Sequence, residues 1–267
     1  MSKDSSQKQV VWITGASSGI GAALAKEYVC KGYRLVLSSR RLSDLEAVAS
    51  SLKIPSSDYL LLPFDLNNQN PYNLYLDQIL KHFSQLDIVF LNGGMSQRSE
   101  ALKTTPEIEK ELMQVNYFSQ VAMAKAVLPY MISQQKGQLV VVSSIAGKFG
   151  FYLRSSYAAA KHALFGYFES LRLETDSTGI SIHLVFPGKI KTRVSQNAIT
   201  SDGSKHQQMD PSHVSAMNAE DCARYISNQI EKGRLDFFVG GKEGRILWIQ
   251  RYFPSLFKRI LRKQSPY

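Results

Sequence analysis

Short apolar runs and longer amphipathic ones alternate along the whole chain. The short runs, at residues 10–14, 34–38, 59–63, 88–91, 138–143, 181–186 and 237–239, have the length and continuous apolar character of strands covered on both faces. Between them apolar residues recur at helical spacing, most persistently over 107–134 and 157–176. No linker or internal repeat interrupts the alternation. It predicts an α/β fold over residues 10–241, a single doubly wound parallel sheet of about seven strands flanked by helices. In such a sheet ligands lie outside the carboxyl ends of the strands, so the residues following each short run are the ones to read for chemistry.

The first run, Val10-Val11-Trp12-Ile13, leads into Thr14-Gly15-Ala16-Ser17-Ser18-Gly19-Ile20-Gly21 and then into a helical pattern over 22–29. Strand, glycine turn and helix together form the opening of a dinucleotide-binding βαβ unit. Gly15 permits the turn, Gly19 brings backbone to a pyrophosphate at the helix N-terminus, and Gly21 lets the helix pack on the strand. The spacing is G-x-x-x-G-x-G rather than G-x-G-x-x-G. A second constellation is Tyr157-Ala158-Ala159-Ala160-Lys161. A free tyrosine ionises near pH ~10. A lysine at i+4 shares its helix face and favours the phenolate, which predicts a Tyr157 pKa drawn down towards the working pH of a general acid/base.

These residues resemble the short-chain dehydrogenase/reductase family, and the likeness runs along almost the whole chain. The glycine segment is similar to the family's cofactor signature. Asn116 in Val115-Asn116-Tyr117, Ser144 thirteen residues before Tyr157, and Pro187-Gly188-Lys189-Ile190-Lys191-Thr192 match its catalytic asparagine, its catalytic serine and its nicotinamide-flanking segment. The resemblance implies a Rossmann-type fold and hydride transfer between a nicotinamide cofactor and a carbonyl or alcohol. It implies a catalytic tetrad of Asn116, Ser144, Tyr157 and Lys161. Tyr157 would donate the proton, Ser144 would hold the carbonyl oxygen, Lys161 would bind the nicotinamide ribose, and Asn116 would anchor a relay water.

Cofactor contacts are implied for Gly15, Ser17, Ser18, Gly19, Ile20 and Gly21, for Tyr157 and Lys161, and for Pro187, Gly188, Ile190 and Thr192. Asp65, followed by Leu66, matches the position that meets the adenine, although Asp65 would equally cap a following helix. Asn92-Gly93-Gly94 stands where the family has Asn-Asn-Ala-Gly. Leu91 replaces the first asparagine, which is expected to alter local sheet bonding. The run over 92–99 resembles a carbonyl, retinoid and steroid reductase subgroup. Ser143 adjoins Ser144, but strand alternation points it the other way.

The end of the second strand bears on cofactor choice. NAD-binding sheets place a carboxylate there for the ribose 2′-hydroxyl, whereas an arginine accommodates a 2′-phosphate. The chain reads Leu37-Ser38-Ser39-Arg40-Arg41, without an acid. Guanidinium groups grip phosphate through paired, charge-assisted bonds. NADP(H) is therefore expected, with Arg40 as the main contact and Arg41 either a second one or a solvated loop residue.

Composition narrows the remaining options. A length of 267 residues suits one α/β domain, and 44% hydrophobic residues support a substantial core. Cys30 and Cys222 lack metal-ligand spacing and read as packed thiols of a reducing compartment. Residues 1–9 form a polar tail without the apolar centre of a signal peptide. No run reaches the ~18 apolar residues of a membrane span, so a cytoplasmic protein is expected. The formal net charge is +10, yet no nucleic-acid recognition motif accompanies it, and no nucleic-acid partner is expected.

Six of those charges, seven bases against Glu243, fall within 242–263. There Ile249, Tyr252, Phe253, Leu256, Phe257, Ile260 and Leu261 recur at helical spacing, interrupted by Pro254. Residues 242–267 read as a basic amphipathic extension. It suits a peripheral membrane contact, a dimer interface or packing over the active site, and these stay open. The long helices resemble those that build homodimers and homotetramers in the family. The polar segment at about 193–217 is expected to close over a small-molecule substrate, with Met209, Met217, Phe149, Phe151, Tyr152 and Leu153 supplying apolar walls. A lipophilic ketone, aldehyde, retinoid or steroid, or the matching alcohol, is the expected substrate. The alternative is a non-catalytic NADP(H)-binding sensor or scaffold at a membrane surface, against which the intact tetrad argues.

Overall fold

The computed structural model describes residues 8–194, 196–207, 216–241 and 244–263. Strands β1 (Val10–Thr14), β2 (Arg34–Ser38), β3 (Tyr59–Leu61), β4 (Ile88–Leu91), β5 (Gly137–Val142) and β6 (Ile180–Pro187) belong to the main sheet. The short β7 (Ile190–Lys191) and β8 (Met217–Asn218) pair with each other, and β9 (Asp236–Val239) returns to the main sheet. The main sheet has seven strands in the order β3-β2-β1-β4-β5-β6-β9, paired in parallel throughout. The chain winds outward from β1 in one direction and from β4 in the other. Between those two strands the order reverses, and the loops at their carboxyl ends part to leave a crevice.

Both faces of the sheet are covered, which is why its strands read as unbroken apolar runs. Val10, Trp12 and Val36 pack with Ile79 of α3 (Tyr72–Phe83), Val127 of α5 (Ser119–Ser133) and Phe168 of α6 (Ser155–Glu174). The alternate residues Val11, Ile13, Leu35 and Leu37 face the opposite layer, with Leu24 of α1 (Gly19–Cys30), Leu45 of α2 (Leu42–Leu52) and Ile226 of α7 (Ala219–Glu231). Cys222 is buried there, and burial pushes its thiol up to about 12. Cys30 differs from the packed thiol expected: it closes α1 with its side chain exposed.

The helical pattern over 107–134 is not one helix. It divides into α4 (Pro106–Met113), a π-turn at Gln114–Phe118, and α5. The side chain of Asn116 explains the interruption, because its Nδ2 donates to the Leu112 carbonyl (3.0 Å) inside the helix. After β9 the chain forms α8 (Arg245–Tyr252) and α9 (Pro254–Arg262). Ile246, Leu247, Ile249, Phe257 and Leu261 pack on Ile145, Phe149 and Phe151, the stretch between Ser144 and Tyr157. Among the described residues no helix is long and apolar enough to cross a membrane.

Candidate active site

The carboxyl ends of the central strands enclose a cavity of about 830 Å³. Every residue expected to bind cofactor or to take part in catalysis lines it, with the exception of Gly21. Gly21 packs instead. A Cβ there would lie 2.2 Å from the Gly15 carbonyl oxygen, so only glycine lets α1 close against the turn. Gly15 has φ +66°, and a Cβ on it would come within 2.8 Å of Gly93 Cα. Two loops thus meet backbone to backbone and leave a floor without side chains, beside an α1 N-terminus that Ser18 does not cap with its side chain. Free N–H groups on such a floor suit a pyrophosphate, and the residues present fit a dinucleotide.

Thr14 and Asn92 hold that floor together. The Thr14 hydroxyl donates to Phe90 O (3.0 Å) and accepts from Asn92 N (3.0 Å) and Gly93 N (2.9 Å), while Asn92 Nδ2 donates to Thr14 O (2.8 Å). Leu91 is buried in the core, its backbone paired with Val141. At the far end of the cavity Arg41 is engaged by Asp44, with contacts of 2.8 Å at Nε and 2.6 Å at NH2. Arg40 is exposed on the rim and joins no ion pair among the described residues. Asp65 forms a local turn, accepting from Asn67 N at 3.0 Å, and does not cap a helix, since α3 begins only at Tyr72.

The tetrad residues converge at the other end. Ser144 follows β5, and its Oγ accepts from Ala146 N (3.1 Å). Asn116 is fully buried, with Nδ2 also donating to Met95 O (3.0 Å) and Oδ1 accepting from Met95 N (3.1 Å). Lys161 Nζ donates to Val142 O (3.0 Å) and lies 5.9 Å from the centroid of the Tyr157 ring. Burial draws the Lys161 ammonium down from 10.5 to about 8. The direction at Tyr157 is opposite to the one its i+4 lysine predicts. Burial pushes the phenol above its ordinary value, opposed by a hydrogen bond with the Ser144 side chain and by the charge of Arg154. The i+4 argument takes a solvated helix face, whereas here desolvation outweighs the neighbouring charge. Ser143 also lines the cavity, and its Oγ is engaged in donating to Lys161 O (3.1 Å).

Gln97 is the residue that sequence reasoning missed. It is wholly buried. Its Oε1 accepts from Ser156 N (2.9 Å) and Tyr157 N (3.1 Å), and its Nε2 donates to Ser99 Oγ and Thr104 Oγ1 (3.1 Å each). A side chain from the loop after β4 thus caps the first turn of α6 and sets where Tyr157 stands. The same loop pairs with the segment expected to cover substrate, through Arg98 N to Ile199 O (2.8 Å) and Ile199 N to Ser96 O (2.8 Å). No local signal marks this, because the partners are about sixty positions apart.

The apolar walls are also not those expected. Phe149 and Phe151 pack under α9, with Phe149 edge-on to Phe257 at 5.0 Å. Tyr152 is exposed, Met217 pairs with Ile190 and packs on the sheet core, and Met209 lies outside the described residues. Neither Tyr152, Leu153 nor Met217 reaches the cavity; Met95, Val115 and Ile199 do.

Residues 9–203 match the family described as short chain dehydrogenase. The chain belongs to the short-chain dehydrogenase family. A dehydrogenase/reductase SDR family protein 7-like of Anopheles gambiae is 35% identical over 263 residues, 96% of this chain and 83% of that protein. Among solved structures, a short-chain dehydrogenase from Sphingobium yanoikuyae in complex with NADPH is 25% identical to this family member. The match covers 86% of this chain and 87% of that one, with a TM-score of 0.74. A short chain dehydrogenase/reductase from Burkholderia phymatum in complex with NAD is 19% identical over 98% of each chain, with a TM-score of 0.81, a likeness of fold.

Proposed function

We propose that this short-chain dehydrogenase is an NADP(H)-dependent oxidoreductase acting on a lipophilic ketone, aldehyde, retinoid or steroid, or on the matching alcohol. The observation that carries the reading is the convergence of Tyr157, Ser144, Lys161 and Asn116 at one end of a cavity whose other end presents Arg40. The bound nicotinamide supplies or accepts the hydride. Tyr157, held protonated by burial, donates to the substrate oxygen as charge develops on it. Ser144, bonded to Tyr157, directs its hydroxyl to the same oxygen. Lys161, anchored on Val142 O, keeps further N–H donors for the ribose. Asn116, locked to Met95 and Leu112, fixes the polar floor behind Lys161. Thr192 and Ile190, which line the cavity, would hold the carboxamide of a bound nicotinamide, and Met95, Val115 and Ile199 favour an apolar substrate beside Tyr157.

Similar folds bind NADPH in one solved structure and NAD in another, so cofactor choice turns on the residues after β2. Titration of the chain with NADPH and NADH, followed by nicotinamide fluorescence, is expected to favour NADPH at least about tenfold, the worth of one charge-assisted hydrogen bond. Arg40→Asp should weaken NADPH by about 10–100-fold and change NADH only a few-fold. An unchanged preference would place the phosphate on another residue. Turnover of a panel of lipophilic ketones and aldehydes with the preferred cofactor tests the reaction itself.

Gln97 acts through Tyr157. Gln97→Leu removes both caps of α6 and should lower kcat by about tenfold or more, as expected when a reacting group is displaced by a fraction of an ångström. It should leave the Kd for NADPH nearly unchanged. Gln97→Glu keeps the acceptor oxygens and lets the neighbouring hydroxyls donate, so it should recover most of the rate while moving the alkaline limb of the pH profile upward. Equal losses of rate, cofactor affinity and Tm in both variants would mean that Gln97 only stabilises the fold.

A further inference from the structure

Packing accounts for only one side of α8 and α9. The outer side carries Trp248, Tyr252, Phe253 and Leu256, exposed by 68%, 56%, 62% and 49%. These are four of the chain's exposed large apolar side chains gathered within nine positions, with Trp248 stacked on Tyr252 at 5.4 Å. An isolated exposed leucine needs no explanation, but a contiguous aromatic patch does. Around it stand Arg245, Arg251, Lys258, Arg259, Arg262 and Lys263, all exposed, with no acid anywhere in 244–263. Elsewhere on the surface cations meet carboxylates, as in Lys31–Glu231, Lys136–Asp87 and Arg172–Asp236. None of the six makes such a pair among the described residues.

We propose that this outer face of α8 and α9 docks on an anionic lipid surface, independently of the reaction assigned to the cavity. Charge selects the occupant. A second copy would set six cations against six, so a symmetric dimer through this face is disfavoured. A bilayer containing acidic lipids offers negative headgroups to the basic rim and takes indole, phenol and phenyl rings at headgroup depth, the two chemistries this face combines. The face is firmly attached to the body of the enzyme. Phe257 packs on Phe149, and Gln250 Nε2 donates to Lys148 O at 3.0 Å, both in the stretch between Ser144 and Tyr157. Docking would therefore hold the active-site half of the molecule against the membrane.

The test uses the intact chain with vesicles of phosphatidylcholine and with vesicles of phosphatidylcholine mixed with phosphatidylserine. The chain has two tryptophans, and Trp12 is fully buried, so a blue shift of emission on adding vesicles reports Trp248. The proposal expects co-sedimentation with the mixed vesicles, a Trp248 blue shift, and binding about tenfold or more weaker to phosphatidylcholine alone. Trp248→Ser with Phe253→Ser, and separately Arg259→Gln with Arg262→Gln, should each reduce partitioning by about tenfold or more. Both pairs alter exposed side chains, so Tm and cofactor binding should be unchanged. Absence of binding to mixed vesicles overturns the proposal. So does binding that survives loss of Trp248 and Phe253 and is displaced by heparin, which would mark a polyanion site. A concentration-dependent dimer abolished by the same variants without any vesicle effect would assign the face to a second copy.

Discussion

Replacing Tyr157 by phenylalanine is expected to lower kcat by about 10²–10⁴-fold, the usual contribution of a positioned general acid, while NADPH affinity stays within a few-fold. The substitution removes one hydroxyl and leaves the ring, α6 and the Gln97 cap in place. Ser144 keeps its bond from Ala146 N and continues to offer one hydrogen bond to the substrate oxygen, so residual turnover should be measurable. The pH profile carries a sharper expectation. Burial holds the phenol above its ordinary value, and the Ser144 bond and the Arg154 charge offset this only in part. Reduction by the parent enzyme should therefore stay flat through neutral pH, and the limb on which Tyr157 loses the proton assigned to it should lie above the ordinary phenol range, separate from any limb that Lys161 sets near pH 8. Single-turnover reduction across the alkaline range would check both points. Near-parent turnover in Tyr157→Phe would remove Tyr157 from the role of acid.

The strands and the polar ends of the site were legible in the sequence because both depend on local order. A strand covered on both faces must be apolar at every position, and 10–14, 34–38 and 88–91 coincide with β1, β2 and β4 residue for residue. The glycine turn, Ser144, Tyr157 and Arg40 each follow a strand directly or stand at a fixed distance from one, so the sheet carries them to the same cavity. What the sequence hid depends on contacts far apart along the chain. Gln97 reads as an ordinary loop polar residue until folding sets it under Ser156 and Tyr157. The π-turn escapes notice because Met113, Gln114 and Val115 are all acceptable in an α-helix, and only the partners of Asn116 show why the ladder shifts. Phe149 and Phe257 both read as apolar residues seeking cover; that they cover each other, rather than the substrate, is a matter of tertiary packing. The direction of the Tyr157 shift likewise depends on burial, which spacing does not contain.

Lys161→Met should give an enzyme that is inactive yet harder to unfold. Lys161 is 4% exposed, and among the described residues its ammonium has one hydrogen bond, to Val142 O. Its pKa falls from 10.5 to about 8 because burial penalises the ammonium. A difference of that size corresponds to about 3 kcal/mol of cost to the folded state when the group is charged. Below pH 8 the folded and unfolded chains both carry the proton, and the full cost is present. Between pH 8 and 10.5 the folded chain has released its proton while the unfolded chain retains it, so parent stability rises with pH across that window. Methionine fills much of the same space without a charge, though it leaves Val142 O without its donor, which takes back about 1–3 kcal/mol. A net gain of up to about 2 kcal/mol at neutral pH is expected, shrinking towards zero or reversing by about pH 10. Urea unfolding of parent and variant at the two pH values measures it, with Tyr157 common to both. A variant that is less stable at neutral pH, or a difference that does not change with pH, would mean that Lys161 is not held in the fold against an electrostatic penalty. The expected result would make that penalty the counterpart of function: a cation kept dry beside Tyr157 is costly to the fold and useful only when a ribose and a reacting oxygen are there to meet it.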